Sequence, residues 1–192
     1  IMSIKITQPN TAVELHLPDG RALLGPRGAQ VGEFLQKVSD DFSAPIVAAI
    51  LNNEIHELTY PVEMESQCTP VTMDTADGAR IYRRSLTFLL EMAFADLFPG
   101  GSLFVDHSVA SGGYYCQVKG RNPLSESELE ALRVHMQKLV ESDIPFEKIN
   151  VSVQEAADYF LLHGYEDKAR LLKYRRKNYL TLYRFRERMD YH

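Results

Sequence analysis

Cysteines are scarce here, long apolar runs are missing, and none of the short motifs that cradle a nucleotide occurs. Each shortage closes off a class of function. Cys68 and Cys116 are the whole cysteine complement of 192 residues. One disulfide is conceivable, but so few thiols, so far apart, fit a reducing compartment better than a stapled secreted domain. No stretch approaches the roughly 18 apolar residues of a membrane-spanning helix, and no charged-then-apolar leader opens the chain. A cytoplasmic location with no membrane partner is therefore expected. No Gly-x-x-x-x-Gly-Lys-Ser/Thr occurs, so the loop that would seat ATP phosphates is missing. Gly25-Pro26-Arg27-Gly28 and Gly112-Gly113 are too short to stand in for it. No Ser/His/Asp or Cys/His constellation marks a nucleophile.

A hydrophobic fraction of 45% and an aromatic fraction of 10% supply a buried core, and the length suits one large domain or two small ones. The net charge of -5 is unevenly spread. Residues 1–167 hold 12 Lys/Arg against 24 Asp/Glu, whereas residues 168–192 hold 9 against 2. The body would repel nucleic acid at long range; the tail would attract phosphate or an acidic surface.

The first part of the chain has the period-two pattern of short strands. Ile4 and Ile6 alternate with polar residues, as do Val13, Leu15 and Leu17. The turn Pro18-Asp19-Gly20 leads into a second run over 21–24, a hairpin in which Gly20 supplies the positive φ. Val31, Phe34, Leu35 and Val38 recur at helical spacing, Ile46–Leu51 is a continuous apolar run, and Glu54–Leu58 alternates again after Asn52-Asn53. Strands around one helix in about 75 residues predict a small β-grasp domain. Leu17-Pro18-Asp19-Gly20, the run from Val47 to Ile55, and Leu58-x-Tyr60-Pro61-Val62 also resemble the TGS domain, a ubiquitin-like module at the start of threonyl-tRNA synthetases and in several nucleotide-binding proteins. The resemblance covers residues 3–75. Asn53 stands where that family has Gly, and asparagine tolerates the left-handed backbone such a turn needs.

Ala76-Asp77-Gly78 reads as a turn and domain junction. A helix is then predicted over Ser85–Leu97, with Leu86, Leu89, Leu90, Ala93, Phe94 and Leu97 on its apolar face and Pro99-Gly100-Gly101 stopping it. Leu103–Val105 and Tyr114–Val118 read as strands around the Ser111-Gly112-Gly113 turn. Ser125-x-x-Glu128 and Ser152-x-x-Glu155 are capping boxes. They open one helix with Leu129, Leu132, Met136, Leu139 and Val140 inward, and another with Ala156, Tyr159, Phe160 and Leu161 inward. A further helical turn or two follows over Glu166–Leu172.

This half resembles the editing domain, or second additional domain, of threonyl-tRNA synthetases over residues 82–192. The resemblance rests on Ser85, Leu89, Leu90, Ala93, Leu97, Phe98 and Pro99, on Gly113-Tyr114-Tyr115, on Leu124 to Leu129 and Met136 to Val140, and on Ala156-x-x-Tyr159-Phe160-x-x-x-Gly164. It implies an α+β fold, β-grasp followed by editing-like domain, with the latter cut short at its C-terminal end. In that family a His-x-x-x-His pair, an Asp-x-Cys and a final His line a pocket that binds zinc or positions water against an aminoacyl ester. Here Arg84 and Phe88 stand at the two histidine positions and His192 at the cysteine. Arginine stays protonated and phenylalanine has no ligand atom, so family-type hydrolysis and a metal site are not expected.

An arginine in an emptied pocket suits a phosphate or carboxylate. Arg84 is accordingly the first candidate for ligand binding, with His107, Tyr115 and His192 beside it; an exposed salt bridge and an ordinary structural histidine are the plainer readings. In the tail, Lys173, Arg175, Arg176 and Lys177 are interleaved with Tyr174 and Tyr179, a pattern in which rings stack on bases while cations hold phosphates. It fits RNA or tRNA, and also an exposed helix and strand packed against a neighbour. A β-grasp ahead of a histidine-poor editing-like domain is similar, finally, to the front of bacterial uridine kinase-like (nucleoside kinase) proteins. That resemblance implies an accessory region whose partner is its own kinase domain; the competing readings are a threonyl-tRNA synthetase-like tRNA-editing (aminoacyl-tRNA deacylase) fragment and an RNA- or ligand-binding module. The kinase domain would use ATP and Mg²⁺; no cofactor is expected in the 192 residues themselves.

Overall fold

The computed structural model describes residue 8, residues 10–110 and residues 112–191. The alternation at Ile4 and Ile6, Ser111 and His192 lie outside the described residues. The chain is α+β and divides into two compact units, Ile1–Arg84 and Ser85–His192.

In the first unit, β1 (Ala12–His16) and β2 (Ala22–Pro26) form the expected hairpin. Gly20 takes φ 86 in its turn, and Asp19 accepts hydrogen bonds from both the backbone N–H and the Nε of Arg21. Helix α1 (Val31–Leu35) runs on into a 3₁₀ turn over Gln36–Asp41. Then come β3 (Ile46–Leu51), β4 (Glu54–His56) and β5 (Ser66–Thr72). The sheet order is β2-β1-β5-β3-β4, with β1 and β5 parallel and the other pairs antiparallel, the arrangement of a β-grasp. Asn52 and Asn53 join β3 to β4 at φ 49 and 71, the conformation asparagine tolerates. Alternation on β1 points Val13 and Leu15 into a core shared with Val31, Phe34, Leu35 and Val38 from the helical segment and Leu51, Val62 and Cys68 from across the sheet.

The junction expected at Ala76-Asp77-Gly78 is instead the first turn of a 22-residue helix, α2 (Ala76–Leu97). Thr75 caps it: its hydroxyl accepts the Gly78 N–H at 3.1 Å. Gly78 mimics a turn signal, but its role is close approach. A Cβ there would lie 1.9 Å from the Thr72 carbonyl oxygen.

The second unit adds a hairpin of β6 (Ser102–Ser108) and β7 (Tyr114–Lys119), helix α3 (Glu126–Glu141), β8 (Glu147–Ser152), α4 (Val153–Leu162), α5 (Glu166–Leu172), β9 (Tyr179–Phe185) and β10 (Arg188–Asp190). Both predicted capping boxes are present, at Ser125 and Ser152. The basic tail is the centre and edge of an antiparallel sheet, β10-β9-β8, with Leu180 and Leu182 of β9 fully buried. One apolar cluster joins Phe88, Leu89, Met92, Ala93 and Phe94 of α2 to Leu132, Leu139 and Phe185. A second joins Ala156, Phe160, Ala169, Leu172, Leu180 and Leu182. Leu86, Leu129, Val140 and Leu161, expected inside, are exposed, because the buried stripe on each helix is narrower than its apolar run. Among the described residues, no helix is long and apolar enough to cross a membrane.

Candidate functional site

At 3.6 residues per turn, positions i, i+4 and i+7 form one stripe of a helix. On α2 that stripe reads Arg84, Phe88, Glu91. Arg84 is exposed. Phe88 is 2% exposed, edge-on to Phe146 with ring centroids 5.0 Å apart. The aromatic residue at the second histidine position therefore serves as core packing. One turn further on, Glu91 brings a carboxyl to the edge of that core. No hydrogen bond or ion pair among the described residues includes it.

The surroundings of Glu91 follow from how β10 lies along α2. The Arg188 guanidinium donates to the Ala95 carbonyl oxygen at 3.3 Å, so two residues further along the strand Asp190 comes beside the preceding helical turn, that of Glu91. Asp190 is 3% exposed. It pairs with the Lys168 ammonium from α5 and accepts the Tyr191 N–H at 2.7 Å. Lys168 is held further by the faces of Tyr165 (4.7 Å to the ring centroid) and Phe160 (5.8 Å). Burial, and then the Asp190 charge, push the Glu91 carboxyl up to about 7; Lys168 opposes the shift. Burial also raises the Cys116 thiol of β7, with the Glu91 charge adding to it, and raises the Tyr165 hydroxyl, to which the Asp190 and Glu91 charges also contribute. A carboxyl near neutrality beside a locked ion pair can hold or release a proton at physiological pH.

A turn along α2, Asp96 gathers other basic groups: His135 at 3.1 Å, Arg188 at 3.5 Å and Arg186 at 3.7 Å. Arg186 and Arg188 border a cavity of about 420 Å³ that Met92, Asp96, His163, Phe185 and Glu187 also line. Arg170 pairs with Asp167 at 2.7 Å, and Arg184 with Glu147. Five of the nine tail cations thus have a carboxylate partner within the unit, Arg186 and Arg188 sharing Asp96. The four that remain are Lys173, Arg175, Arg176 and Lys177, in the exposed loop between α5 and β9, with no carboxylate partner among the described residues. Tyr174 and Tyr179 are 81% and 53% exposed in the same stretch. Arg175 lies close enough to Tyr191 for its charge to act on that hydroxyl, and Tyr191 stacks on Phe160 with centroids 5.6 Å apart. The basic loop joins α5, which carries Lys168, to β9, the strand that pairs with β10 and so with Asp190.

His107 and Tyr115 face each other across the β6–β7 hairpin with ring centroids 5.3 Å apart, and both are exposed; Asp106 lies 3.4 Å from the His107 ring. Tyr115 and Cys116 are strand neighbours and so take opposite faces. The face carrying Cys116 is the one turned toward Glu91. His192 lies outside the described residues. Glu91 itself went unread in the sequence. The one signal for it was an acidic residue inside an apolar helical stripe, at i+7 from the first histidine position. In the first unit Glu14, His16 and Glu65 bring three ligand atoms within 4.8 Å of one another, but on the surface, and with the imidazole already 2.7 Å from Glu65.

No family model matches the chain. Curated proteins do. It is 27% identical over 148 residues, 77% of the chain, to a threonine–tRNA ligase of Desulforamulus reducens. It is 27% identical over 179 residues, 93% of the chain, to threonine–tRNA ligase 2 of Bacillus subtilis, and 29% identical over 143 residues, 74% of the chain, to a threonine–tRNA ligase of Rubrobacter xylanophilus. The aligned regions make up 23%, 28% and 22% of those proteins, about a quarter of their length. These relatives support the similarity to threonyl-tRNA synthetases. They overturn the uridine kinase-like parent and with it the kinase domain as partner. The ATP and Mg²⁺ implied for that domain rest on the same parent. The short motifs that suggested it, a β-grasp signature and a histidine-poor helix, do not distinguish the two families, whereas similarity across 93% of the chain does.

Proposed function

We propose that this chain is the tRNA-binding part of a threonine–tRNA ligase-like protein, and that its second unit receives the acylated end of a tRNA at Glu91, Lys168 and Asp190. The observation that supports this most is the loop over 173–179. It holds four cations with no carboxylate partner among the described residues and two exposed tyrosines, and it joins α5, which carries Lys168, to β9, the neighbour of the strand that carries Asp190. Cations without a carboxylate partner can displace counterions from a phosphate backbone, and tyrosine faces stack on unpaired bases; the Lys177 ammonium lies 5.7 Å from the Tyr179 ring centroid. The exposed His107–Tyr115 ring pair would serve as a second stacking platform. Arg84, exposed in the first unit, is a further cation for a phosphate or carboxylate.

The test is tRNA binding as a function of salt. Wild-type protein should bind with an affinity that falls steeply as salt rises. Replacing Arg175, Arg176 and Lys177 together by alanine should lower the slope of log K against log salt by about two to three, because each phosphate contact contributes about 0.7–0.9. Unchanged binding by the triple variant, or no binding by the wild type at low salt, would refute the proposal.

A further inference from the structure

We infer that the β-grasp unit carries a binding pocket for a small organic cation, an alkylammonium group seated between the Glu54 carboxylate and the His56–Tyr60 ring pair. The site lies in the first unit, goes beyond the tRNA reading and does not depend on it. A cavity of about 240 Å³ opens there between the β3–β4 turn and the stretch leading into β5, with Leu51, Val62 and Met64 as its apolar wall.

The wall is built before a ligand arrives. Asn52, held at φ 49, donates from Nδ2 to the Ser66 Oγ at 3.1 Å and accepts the Gln67 N–H at 3.0 Å. The Ser66 hydroxyl donates on to the Met64 carbonyl oxygen at 3.1 Å. The Tyr60 carbonyl oxygen accepts the Val31 N–H of α1 at 2.9 Å, which pins that residue's backbone. Such preorganisation lowers the cost of binding. Glu54 and His56 are two residues apart on β4 and so share a face. The carboxylate lies 3.8 Å from the His56 Nε2, beyond hydrogen-bond reach. The His56 and Tyr60 ring centroids are 3.9 Å apart. Asn52 and Ser66 thus satisfy each other. The Glu54 carboxylate, the His56 ring and the Tyr60 hydroxyl make no hydrogen bond among the described residues. Three polar groups around one cavity are left for a guest.

The lining selects the charge of that guest. Residues 51–66 hold Glu54, Glu57, Glu63 and Glu65 and neither Lys nor Arg. Arg27 pairs with Glu63 at 2.9 Å, which leaves Glu54 without a Lys or Arg partner among the described residues. A phosphate or carboxylate would be repelled here. An ammonium gains the Glu54 charge, oxygen and nitrogen acceptors for its N–H groups, and the ring of the exposed Tyr60. The cavity is smaller than the roughly 300–1,000 Å³ that hold drug-sized ligands, so it suits a single aminoalkyl chain whose stem lies on Leu51, Val62 and Met64. A free diamine and the lysine side chain of another chain share that chemistry.

The experiment follows amide chemical shifts of the full chain in titrations with cadaverine, with Nα-acetyl-lysine methylamide and with neutral pentanediol. Both amines should shift amides within 51–66 saturably, with Kd of about 10⁻⁴–10⁻³ M, the range open to so small a ligand. Pentanediol should bind about ten-fold more weakly. Tyr60→Leu, which keeps an apolar side chain, should weaken amine binding about 2–30-fold. Glu54→Gln should weaken it about 2–5-fold, as for an exposed ion pair. Amide shifts elsewhere in the β-grasp sheet should stay in place and show that both variants fold. Tighter binding of the lysine derivative assigns the pocket to a partner's side chain, and tighter binding of cadaverine to a free diamine; either supports the inference. Absence of local shifts at about 10 mM amine, ten times the weakest expected Kd, would overturn it. So would equal affinity for pentanediol, or undiminished amine binding by Tyr60→Leu, which would reduce the effect to diffuse attraction by an acidic surface.

Discussion

The interiors of the two units differ in what they tolerate. The first buries apolar side chains and two hydroxyls, Ser66 and Thr72, and its buried titratable group is the Cys68 thiol, which burial pushes up to about 11 and so keeps neutral. The second brings a carboxylate that is 3% exposed, its ammonium partner and a second, unpartnered carboxyl into one place. Taking charge out of water costs several kcal/mol per ion, on the order of the whole stability margin of a domain, and pairing returns the cost incompletely. A unit that only had to fold would have no use for the Glu91 cluster. For tRNA, on the proposed reading, the first unit is a scaffold and the second carries the site, since buried ionisable groups cluster at functional sites.

The largest effect that tests this contrast is on the ion pair. Asp190→Ala strands the Lys168 ammonium and should cost about 2–3 kcal/mol in the second unit, at the lower end for a broken buried pair because Lys168 keeps a third of its side-chain surface in water. Replacing both partners by apolar residues of similar size, Lys168→Met with Asp190→Leu, should cost far less or nothing. With no tryptophan in the sequence, denaturant-dependent hydrogen exchange is the suitable readout, since it reports each unit separately. If the double replacement is as damaging as the single one, the pair is structural and the contrast between the units fails.

Next in size is a pH dependence confined to the second unit. Glu91 has an ordinary carboxyl value of 4.5 and is pushed up to about 7 in the fold. Between those values the folded state binds more protons than the unfolded one, so the slope of unfolding free energy against pH is negative. The stabilisation is therefore complete below about pH 4.5 and is lost as pH rises through about 7, on the order of 2 kcal/mol after allowance for solvent reaching the carboxyl. Glu91→Gln should flatten that slope. Persistence of the slope in the variant would mean that another group carries it.

Local patterns in the sequence were good guides to the scaffold and poor guides to the site. Period-two burial on β1, the left-handed Asn52-Asn53 turn and the Ser-x-x-Glu boxes at Ser125 and Ser152 are all written within a few residues, so they can be read without the fold. The β10-β9-β8 sheet was hidden because Arg184, Arg186 and Arg188 give the tail the look of a solvated basic segment. Only the structure shows their carboxylate partners on β8 and α2. The loop cations Lys173, Arg175, Arg176 and Lys177 were legible by number but not by state, since which cations of a basic run remain unpaired depends on where distant acids fold. Glu91 was the hardest to see. Its neighbours Lys168 and Asp190 lie far along the chain, and a carboxyl gains its meaning from what burial and those charges do to it.

The smallest effect concerns the capping box that opens α4. The Ser152 hydroxyl accepts the Glu155 N–H at 3.1 Å, and the Glu155 carboxylate accepts the Ser152 N–H at 2.8 Å. Ser152→Ala leaves that first-turn N–H without its partner and should cost about 1 kcal/mol. Helix α4 carries Tyr159 and Phe160. The Tyr159 hydroxyl accepts the Met189 N–H at 2.8 Å, and the Phe160 ring underlies Tyr191 and Lys168, so fraying at its start should loosen the floor of the Glu91 cluster without touching a cation of the 173–177 loop. Hydrogen exchange in α4 should quicken about five-fold, exchange in the β-grasp sheet should stay as it was, and the salt slope of tRNA binding should not move. A change in that slope would mean that the loop depends on the floor beneath it, and the pocket and the polyanion surface would then have to be treated as one device rather than two neighbours.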